Sequence, residues 1–202
     1  MEAELLQHAP DAGIWYLDPS PEQASAFRSL FDARGLMIRV RDLTQSTFQE
    51  YVTPHRFDRI VSMFSWFFVG AHEPELRKLI ALLAPGGIAL IVLPGKESIE
   101  ADLNRALSPD RHTTLVSADL VAGLGRIGQT ADLHSFTKWL DNDEMFDDDA
   151  PSKASLAFAA LVAMRPISEL TEEEIETVTV LLHARREPRG VPLIWDVVVE
   201  AD

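Results

Sequence analysis

Cysteine is absent from this sequence. Without it the protein has no disulfide framework, no thiolate metal site and no thiol nucleophile. The absence is consistent with a reducing compartment, so cytoplasm is the expected location.

Long apolar stretches are also lacking. The two longest, residues 60–69 and 88–93, fall well short of the roughly 20 residues that a membrane-spanning helix requires. The first ten residues carry acidic side chains instead of a basic run before an apolar segment, which is not typical of a signal peptide. The apolar stretches are therefore expected to be core elements.

Basic residues are scarce relative to acidic ones. The chain has 18 Lys+Arg against 32 Asp+Glu, for a formal net charge of -14. This excess of negative charge repels nucleic acid and anionic lipid, so we expect neither as a partner. The 202 residues and 47% hydrophobic content predict one domain with a substantial core.

The first half of the sequence alternates predicted strands with predicted helices. Strands are expected at residues 13–17, 36–40, 57–64 and 88–93, and helices at residues 21–34, 73–83 and, as a short helix, up to Tyr51. Ser20 is expected to cap the first helix, with Pro21 at its first position and the Gln23 side chain reaching back. The Pro85-Gly86-Gly87 turn is expected to end the helix before it.

The second half is less regular. Helices are predicted at residues 96–107, 117–124, 152–164 and from Thr171, which forms a capping box with Glu174; strands are predicted at residues 130–140 and 191–199, and an acidic loop at 141–149. Alternating strands and helices predict an α/β fold with a parallel sheet covered on both faces.

Two motifs are weaker than they look. Residues 123–128 match the dinucleotide fingerprint Gly-x-Gly-x-x-Gly, but they follow a predicted helix instead of a strand, so helix termination is the better interpretation. Residues 141–149 carry six acidic side chains without the glycine and terminal glutamate of a calcium loop. A solvated loop or a lid is the expected role.

Ligands of open parallel sheets bind beyond the carboxyl ends of the strands. Asp18 follows the first strand, where a carboxylate can accept hydrogen bonds from two ribose hydroxyls or, equally, favour the start of a helix. Thr44, Gln45 and Ser46 follow the second strand and suit an adenine edge or a simple turn. Met63 and Phe64 end the third strand as an apolar floor for a flat base.

The segment 57–62, followed by Leu82-Leu83-Ala84-Pro85-Gly86-Gly87-Ile88-Ala89-Leu90, resembles the fourth and fifth strands of class I methyltransferases. Residues 18–23 (Asp-Pro-Ser-Pro-Glu-Gln), 44–46 (Thr-Gln-Ser) and 198–201 (Val-Val-Glu-Ala) are similar to histamine N-methyltransferase and its relatives. The resemblance implies a Rossmann-like, mostly parallel sheet with a C-terminal antiparallel strand, and S-adenosylmethionine as cofactor.

The resemblance also implies roles for single residues. Asp18 would bind the ribose, Gln23 would be a further cofactor contact, Thr44 or Ser46 would lie near the adenine, and Met63 would touch the base. Phe64, Phe67 and Phe68 would line the acceptor pocket, where histamine methylation uses an amide and tyrosines. Phenylalanine cannot form the hydrogen bonds that select an imidazole amine, so histamine is not the expected substrate.

The reaction implied is in-line methyl transfer to a small molecule, in which positioning does most of the work, and no catalytic residue is assigned. The six scattered histidines are expected to be structural or exposed, with His72 the best candidate for a base among them.

The glycine-rich first strand of this family has no counterpart before Gly13, and residues 1–9 resemble the helix that would follow it. The chain is therefore expected to be an N-terminally incomplete single domain. The strands that flank the missing strand would pair directly or borrow a strand from a second copy or another chain.

Two functions stay open: an active small-molecule methyltransferase, or a degenerate methyltransferase fold that binds no cofactor and serves as an interaction or regulatory subunit. A nicotinamide-dependent oxidoreductase would depend on residues 123–128 alone.

Overall fold

The structure is a computed structural model that describes residues 11–108 and 115–201. The helix expected over residues 1–9 lies outside them, as do His8 and His112. The chain divides into two compact units, Met1–Pro54 and His55–Asp202. Within the described ranges, no helix has both the length and the apolar character needed to cross a membrane.

The first unit is a strand–helix–strand arrangement. Strands β1 (Ile14–Leu17) and β2 (Val40–Thr44) pair in parallel, and helix α1 (Pro21–Ala33) connects them. The Ser20 hydroxyl accepts the Gln23 amide at 3.1 Å and caps α1, as predicted. The second strand starts four residues later than predicted, since a 3-10 turn, Met37–Arg39, precedes it.

Three stacked aromatic rings form much of the interior of the first unit. Phe27 lies between Tyr16 of β1 and Phe31 of α1, with ring centroids 4.0 and 4.1 Å apart. The short helix predicted up to Tyr51 is wrong. It is a single turn closed by the Tyr51 amide on the Thr47 carbonyl, and no regular helix or strand follows before Pro54, which disfavours helical backbone in the residue that precedes it.

The second unit is built on a four-stranded sheet of β3 (Phe57–Met63), β4 (Leu83–Pro94), β5 (Ala131–Leu140) and β8 (Val191–Ala201). Their order across the sheet is β3-β4-β8-β5. β3 and β4 are parallel, whereas β8 is antiparallel to both β4 and β5. The predicted α/β fold with a C-terminal antiparallel strand is confirmed.

The remaining elements of this unit are helices and one short ribbon. They are α2 (Glu73–Leu82), α3 (Ile99–Leu107), α4 (Ser117–Arg126), α5 (Asn142–Met145), β6 (Phe146–Asp147), β7 (Ala150–Pro151), α6 (Lys153–Val162) and α7 (Glu172–Arg185). Residues 141–149, predicted as a loop, thus contain α5 and most of a two-stranded ribbon that turns at Asp148, whose φ is 57°.

Helices cover both faces of this sheet. Val191 and Leu193 of β8 join a buried cluster with α3, α6 and α7. Asp196 points to the opposite face, where it accepts the Ser117 hydroxyl at the start of α4. Leu120 and Leu124 of α4 are fully buried there. The sheet is therefore a central layer between two helical layers.

The sequence predicted that the Pro85-Gly86-Gly87 segment ends the preceding helix. That prediction is wrong, because α2 already ends at Leu82. The segment lies inside β4 at an irregularity of register, where Phe57 pairs with Leu83 but Arg59 pairs with Ile88. A Cβ on Gly87 would approach the carbonyl oxygens of Ala84 and Phe57 to 2.8 Å. Only glycine fits this bulge.

Candidate functional site

In the first unit, Asp18 follows the end of β1 and is half-buried. Its Oδ1 accepts the Ser20 amide at 2.8 Å, which orients the chain into α1. The Asp18 amide donates to the carbonyl of Thr44, at the end of β2, across 3.2 Å. Asp18 and Thr44 therefore share one edge of the β1–β2 pair, as the sequence predicted.

The carboxylate of Asp18 has one oxygen left over. Among the described residues no donor is assigned to Oδ2. A carboxylate oxygen can accept two hydrogen bonds, so Oδ2 has the capacity to bind a ligand's hydroxyl groups. Asp18 thus both starts the helix and leaves one acceptor open, and the two interpretations of its role are compatible.

Of the other polar residues predicted to contact the cofactor, Gln23 is exposed, whereas Thr44 and Ser46 are half-buried like Asp18. Gln23 lies in the first turn of α1. Its side chain was predicted to accept the backbone amide of Ser20, but Asp18 accepts that amide instead. The Thr44 hydroxyl donates to Asp42 at 2.6 Å, and the Ser46 hydroxyl donates to the Thr47 carbonyl at 3.3 Å. Both hydroxyl oxygens keep lone pairs for a ligand.

In the second unit, Met63 is the last residue of β3 and Phe64 follows it, both half-buried. The Phe64 amide donates to the Val92 carbonyl at 3.1 Å. Phe64 has φ 50°, a left-handed conformation that costs a non-glycine residue about 1–3 kcal/mol. The backbone thus holds the Phe64 ring in place at the cost of strain.

Phe67 and Phe68 belong to a 3-10 turn, Trp66–Phe68, and their rings lie 4.5 Å apart. Phe68 is 64% exposed. In the contacts of the described residues these two rings pair with each other, and Phe64 packs elsewhere. The structure therefore does not gather the three predicted acceptor-pocket phenylalanines into one contact group.

Phe64 packs instead on Trp195 of β8. Their ring centroids lie 4.6 Å apart with the planes at 65°, and Phe136 of β5 meets the same indole edge-on at 5.6 Å. Trp195 pairs directly with Phe136 and with Pro94, the last residue of β4. Trp195 thus lies level with the carboxyl end of β4, with the other two rings against it, at the end of the strand where ligands of such sheets bind.

A carboxylate adjoins these rings. Glu100, in the first turn of α3, accepts the Trp195 indole N–H at 2.7 Å on Oε1 and the Ser98 hydroxyl on Oε2. Burial raises the pKa of Glu100, although the hydrogen bonds from Trp195 and from its own backbone amide act in the opposite direction. We call Phe64, Glu100, Phe136 and Trp195 the aromatic–carboxylate cluster.

The sequence indicated only Phe64 of this cluster. Glu100 and Trp195 are 95 positions apart, and neither lies in a motif. The only available signal was positional, since Glu100 opens the helix that follows a strand's carboxyl end.

The two weaker sequence motifs have ordinary structural roles. Gly123 and Gly125 lie inside α4, and Gly128, with φ 82°, follows its end, so residues 123–128 terminate a helix.

Residues 141–144 line a depression of about 500 Å³ with Pro188 and Arg189. In the described ranges, no group of three or more histidine or acidic side chains is arranged to hold a metal ion. His72 is exposed and precedes α2.

Comparison with solved structures defines the class of fold. The chain is similar to a proposed methyltransferase from Bacillus halodurans, with a TM-score of 0.58 and 13% identity over 92% of this chain and 80% of that one. It is also similar to a proposed sarcosine dimethylglycine methyltransferase from Galdieria sulphuraria, with a TM-score of 0.55 and 14% identity over 94% and 69% of the two chains.

A third similar structure is coclaurine N-methyltransferase bound to N-methylheliamine and S-adenosylhomocysteine. The TM-score is 0.55 and the identity 14%, over 99% of this chain and 63% of that one. No family model matches the chain, and no curated protein matches it. The fold is that of class I S-adenosylmethionine-dependent methyltransferases, and at these identities the likeness establishes the fold alone.

Proposed function

We propose that this chain belongs to an S-adenosylmethionine-dependent methyltransferase acting on a small molecule. The observation that carries the proposal is Asp18, a half-buried carboxylate at the carboxyl end of a parallel strand whose Oδ2 has no donor among the described residues. The class I methyltransferase fold supports it, because ligands of open α/β sheets bind at this edge.

The residues at the carboxyl ends of the strands suit parts of the cofactor. Asp18 can accept the ribose hydroxyls through Oδ2, and Gln23 in the first turn of α1 is a further polar contact. Thr44 or Ser46 offers a hydroxyl to the adenine edge. In the second unit, Met63 offers a polarisable thioether surface to a flat base.

When bound, the cofactor supplies a methyl group on a sulfonium sulfur. The chain's part is to position an acceptor atom in line with the methyl carbon, which can supply much of the rate without a dedicated base. We assign no catalytic residue. Phe64, Phe67 and Phe68 are proposed to face the acceptor. We also propose that the chain is related to histamine N-methyltransferase but does not select an imidazole amine as its substrate.

No glycine-rich turn follows a strand and opens a helix within residues 11–108 and 115–201. In those ranges β1 and β2 form a two-stranded sheet, and β3 is the outermost strand of the four-stranded sheet. We include in the proposal that a strand from a second copy or a partner chain pairs with such an edge, because exposed strand edges readily accept another strand. The native mass in solution tests this point.

The decisive experiment is calorimetric titration of the folded chain with S-adenosylhomocysteine. We expect micromolar affinity that falls at least about tenfold in Asp18→Asn, because the amide removes the charge from the hydrogen bonds to the ribose. Asp32→Asn, an exposed acid near the end of α1, is the matched control and should bind like the parent.

Two results would count against the proposal. Equal affinity of the Asp18→Asn and Asp32→Asn variants would remove Asp18 from the site. No binding to a folded chain would favour the alternative function, a cofactor-free fold that acts as an interaction or regulatory subunit. That alternative is favoured by the phenylalanines at positions 64, 67 and 68, which lack the polar groups of an acceptor site.

A further inference from the structure

The aromatic–carboxylate cluster contains a carboxyl group that has no ion-pair partner among the described residues. The contacts of Glu100 in the described residues are two neutral donors, the Trp195 indole and the Ser98 hydroxyl. No Lys or Arg of the described ranges forms an ion pair with it. A carboxylate removed from water is costly unless a cation pairs with it.

The rings around Glu100 are also suited to positive charge. The face of an indole or phenyl ring attracts a cation within about 6 Å of its centroid. Lys138 demonstrates this locally, since its Nζ lies 5.7 Å from the centroid of Trp195. Phe64 and Phe136 meet Trp195 edge-on, and Phe136 is 43% exposed, so the cluster opens to solvent.

Position distinguishes Glu100 from Asp196, an acidic residue of the same unit. Asp196 is more fully buried than Glu100, and the hydroxyls of Ser117 and Ser135 donate to both of its carboxylate oxygens on the α4 face. Glu100 instead follows the carboxyl end of β4 and is joined through Trp195 to Phe64, the residue after β3. It is the carboxylate placed where an acceptor would enter.

We propose that the aromatic–carboxylate cluster binds the protonated amine of the acceptor, with Glu100 as its counterion and the rings of Trp195, Phe64 and Phe136 against its carbon atoms. The inference deepens the proposed function and rests on it for the word acceptor. The site recognises the positive charge and the apolar surface of a ligand without an array of directional hydrogen bonds, so it accepts a range of organic amines. Burial raises the pKa of Glu100 because it disfavours the charged carboxylate, and a bound ammonium group would offset that unfavourable free energy.

The test uses two probes of similar size. Benzylamine carries the charge, and benzyl alcohol is its neutral counterpart. Calorimetry, with the Trp195 indole N–H resonance as a local reporter, should show the parent binding benzylamine at least about tenfold more tightly than benzyl alcohol, which corresponds to about 1.4 kcal/mol. Equal affinities for the two probes would overturn the proposal without recourse to any variant.

Two variants locate the charge. Glu100→Gln keeps an acceptor for the Trp195 N–H and should abolish the preference for benzylamine. Glu97→Gln removes the same charge three residues earlier, from a side chain that is 68% exposed, and should retain it. A preference that survives in Glu100→Gln, or is lost equally in both variants, would contradict the proposal.

The cofactor titration separates this inference from the proposed function. Binding of S-adenosylhomocysteine without any benzylamine preference would overturn the amine site and leave the methyltransferase proposal standing. A benzylamine preference without S-adenosylhomocysteine binding would support the cation site and remove its role as an acceptor site.

Discussion

The two units of the chain differ in how much core supports their sheets. In the described part of the first unit, two strands rest on four buried hydrophobic residues: Ala24, Phe27, Phe31 and Tyr51. The second unit covers a four-stranded sheet on both faces with fully buried leucines and isoleucines. Because two-stranded sheets are marginal alone, we expect the unit that contains the candidate ribose contact, Asp18, to be the less stable of the two.

The largest effect that tests this contrast is expected from Phe31→Ala. Phe31 is fully buried and ends the stack of three rings. Its removal should cost about 3–5 kcal/mol of unfolding free energy, the usual range for a buried phenylalanine. Hydrogen exchange should show the loss of protection within residues 11–54.

Leu124→Ala is the matched control in the second unit, where Leu124 is also fully buried. Its cost of about 2–5 kcal/mol should fall on residues 55–202. If either variant lowers protection equally in both ranges, the two units unfold as one and the contrast fails.

A second test sharpens the contrast from the stronger side. Gly190 precedes β8 with φ 132°, and a Cβ there would overlap the Leu140 carbonyl oxygen. Gly190→Ala should therefore destabilise the second unit by about 3 kcal/mol in denaturant unfolding, through overlap and strain together.

Gly125→Ala separates this clash from a general effect of alanine. Gly125 lies within α4, and a Cβ added there would have no atom within 4 Å, so alanine should stabilise by about 0.5–1 kcal/mol. Destabilisation by both variants to the same degree would be inconsistent with the close approach at Gly190.

The smallest effect concerns pH. Burial raises the pKa of Glu100 in the folded state, so the native protein binds this proton more tightly than the unfolded chain. The stability of the parent relative to Glu100→Gln should therefore fall as pH rises from the ordinary carboxyl range through the raised pKa. Urea unfolding from about pH 4 to about pH 8 measures the difference.

The first unit provides the opposite sign. The backbone amide of Glu22 and the Ser20 hydroxyl lower the pKa of Glu22, so its contribution is present above the ordinary carboxyl pKa and is lost in acid. A Glu22→Gln variant should follow that opposite trend. A difference between parent and Glu100→Gln that does not change with pH would argue against a raised pKa at Glu100.

The sequence predicted those elements whose signals are local. Ser20 and Pro21 marked the start of α1, and the capping box of Thr171 and Glu174 forms as expected. The Gly86-Gly87 segment indicated a helix stop instead of a bulge because one of the two carbonyls that require glycine, that of Phe57, lies on the neighbouring strand. Periodicity cannot show a bulge whose cause lies on the neighbouring strand.

The site divides in the same way. Asp18 and Thr44 were predicted to be cofactor contacts because they follow apolar runs, and the pairing of β1 with β2 places them side by side. Trp195 was assigned to a strand without a role, since its contact with Glu100 depends on the antiparallel placement of β8 beside β4. Contacts that depend on strand order cannot be read from one sequence.

At position 64, the left-handed backbone conformation favours a residue other than phenylalanine for stability, whereas the proposed binding site requires the phenylalanine ring. Glycine or asparagine at this position would relieve strain, because both tolerate a positive φ better than phenylalanine does. Either would also remove the ring that packs on Trp195. A library of position 64 selected only for thermal resistance should thus drift toward glycine, whereas one selected for ligand capture should keep an aromatic residue.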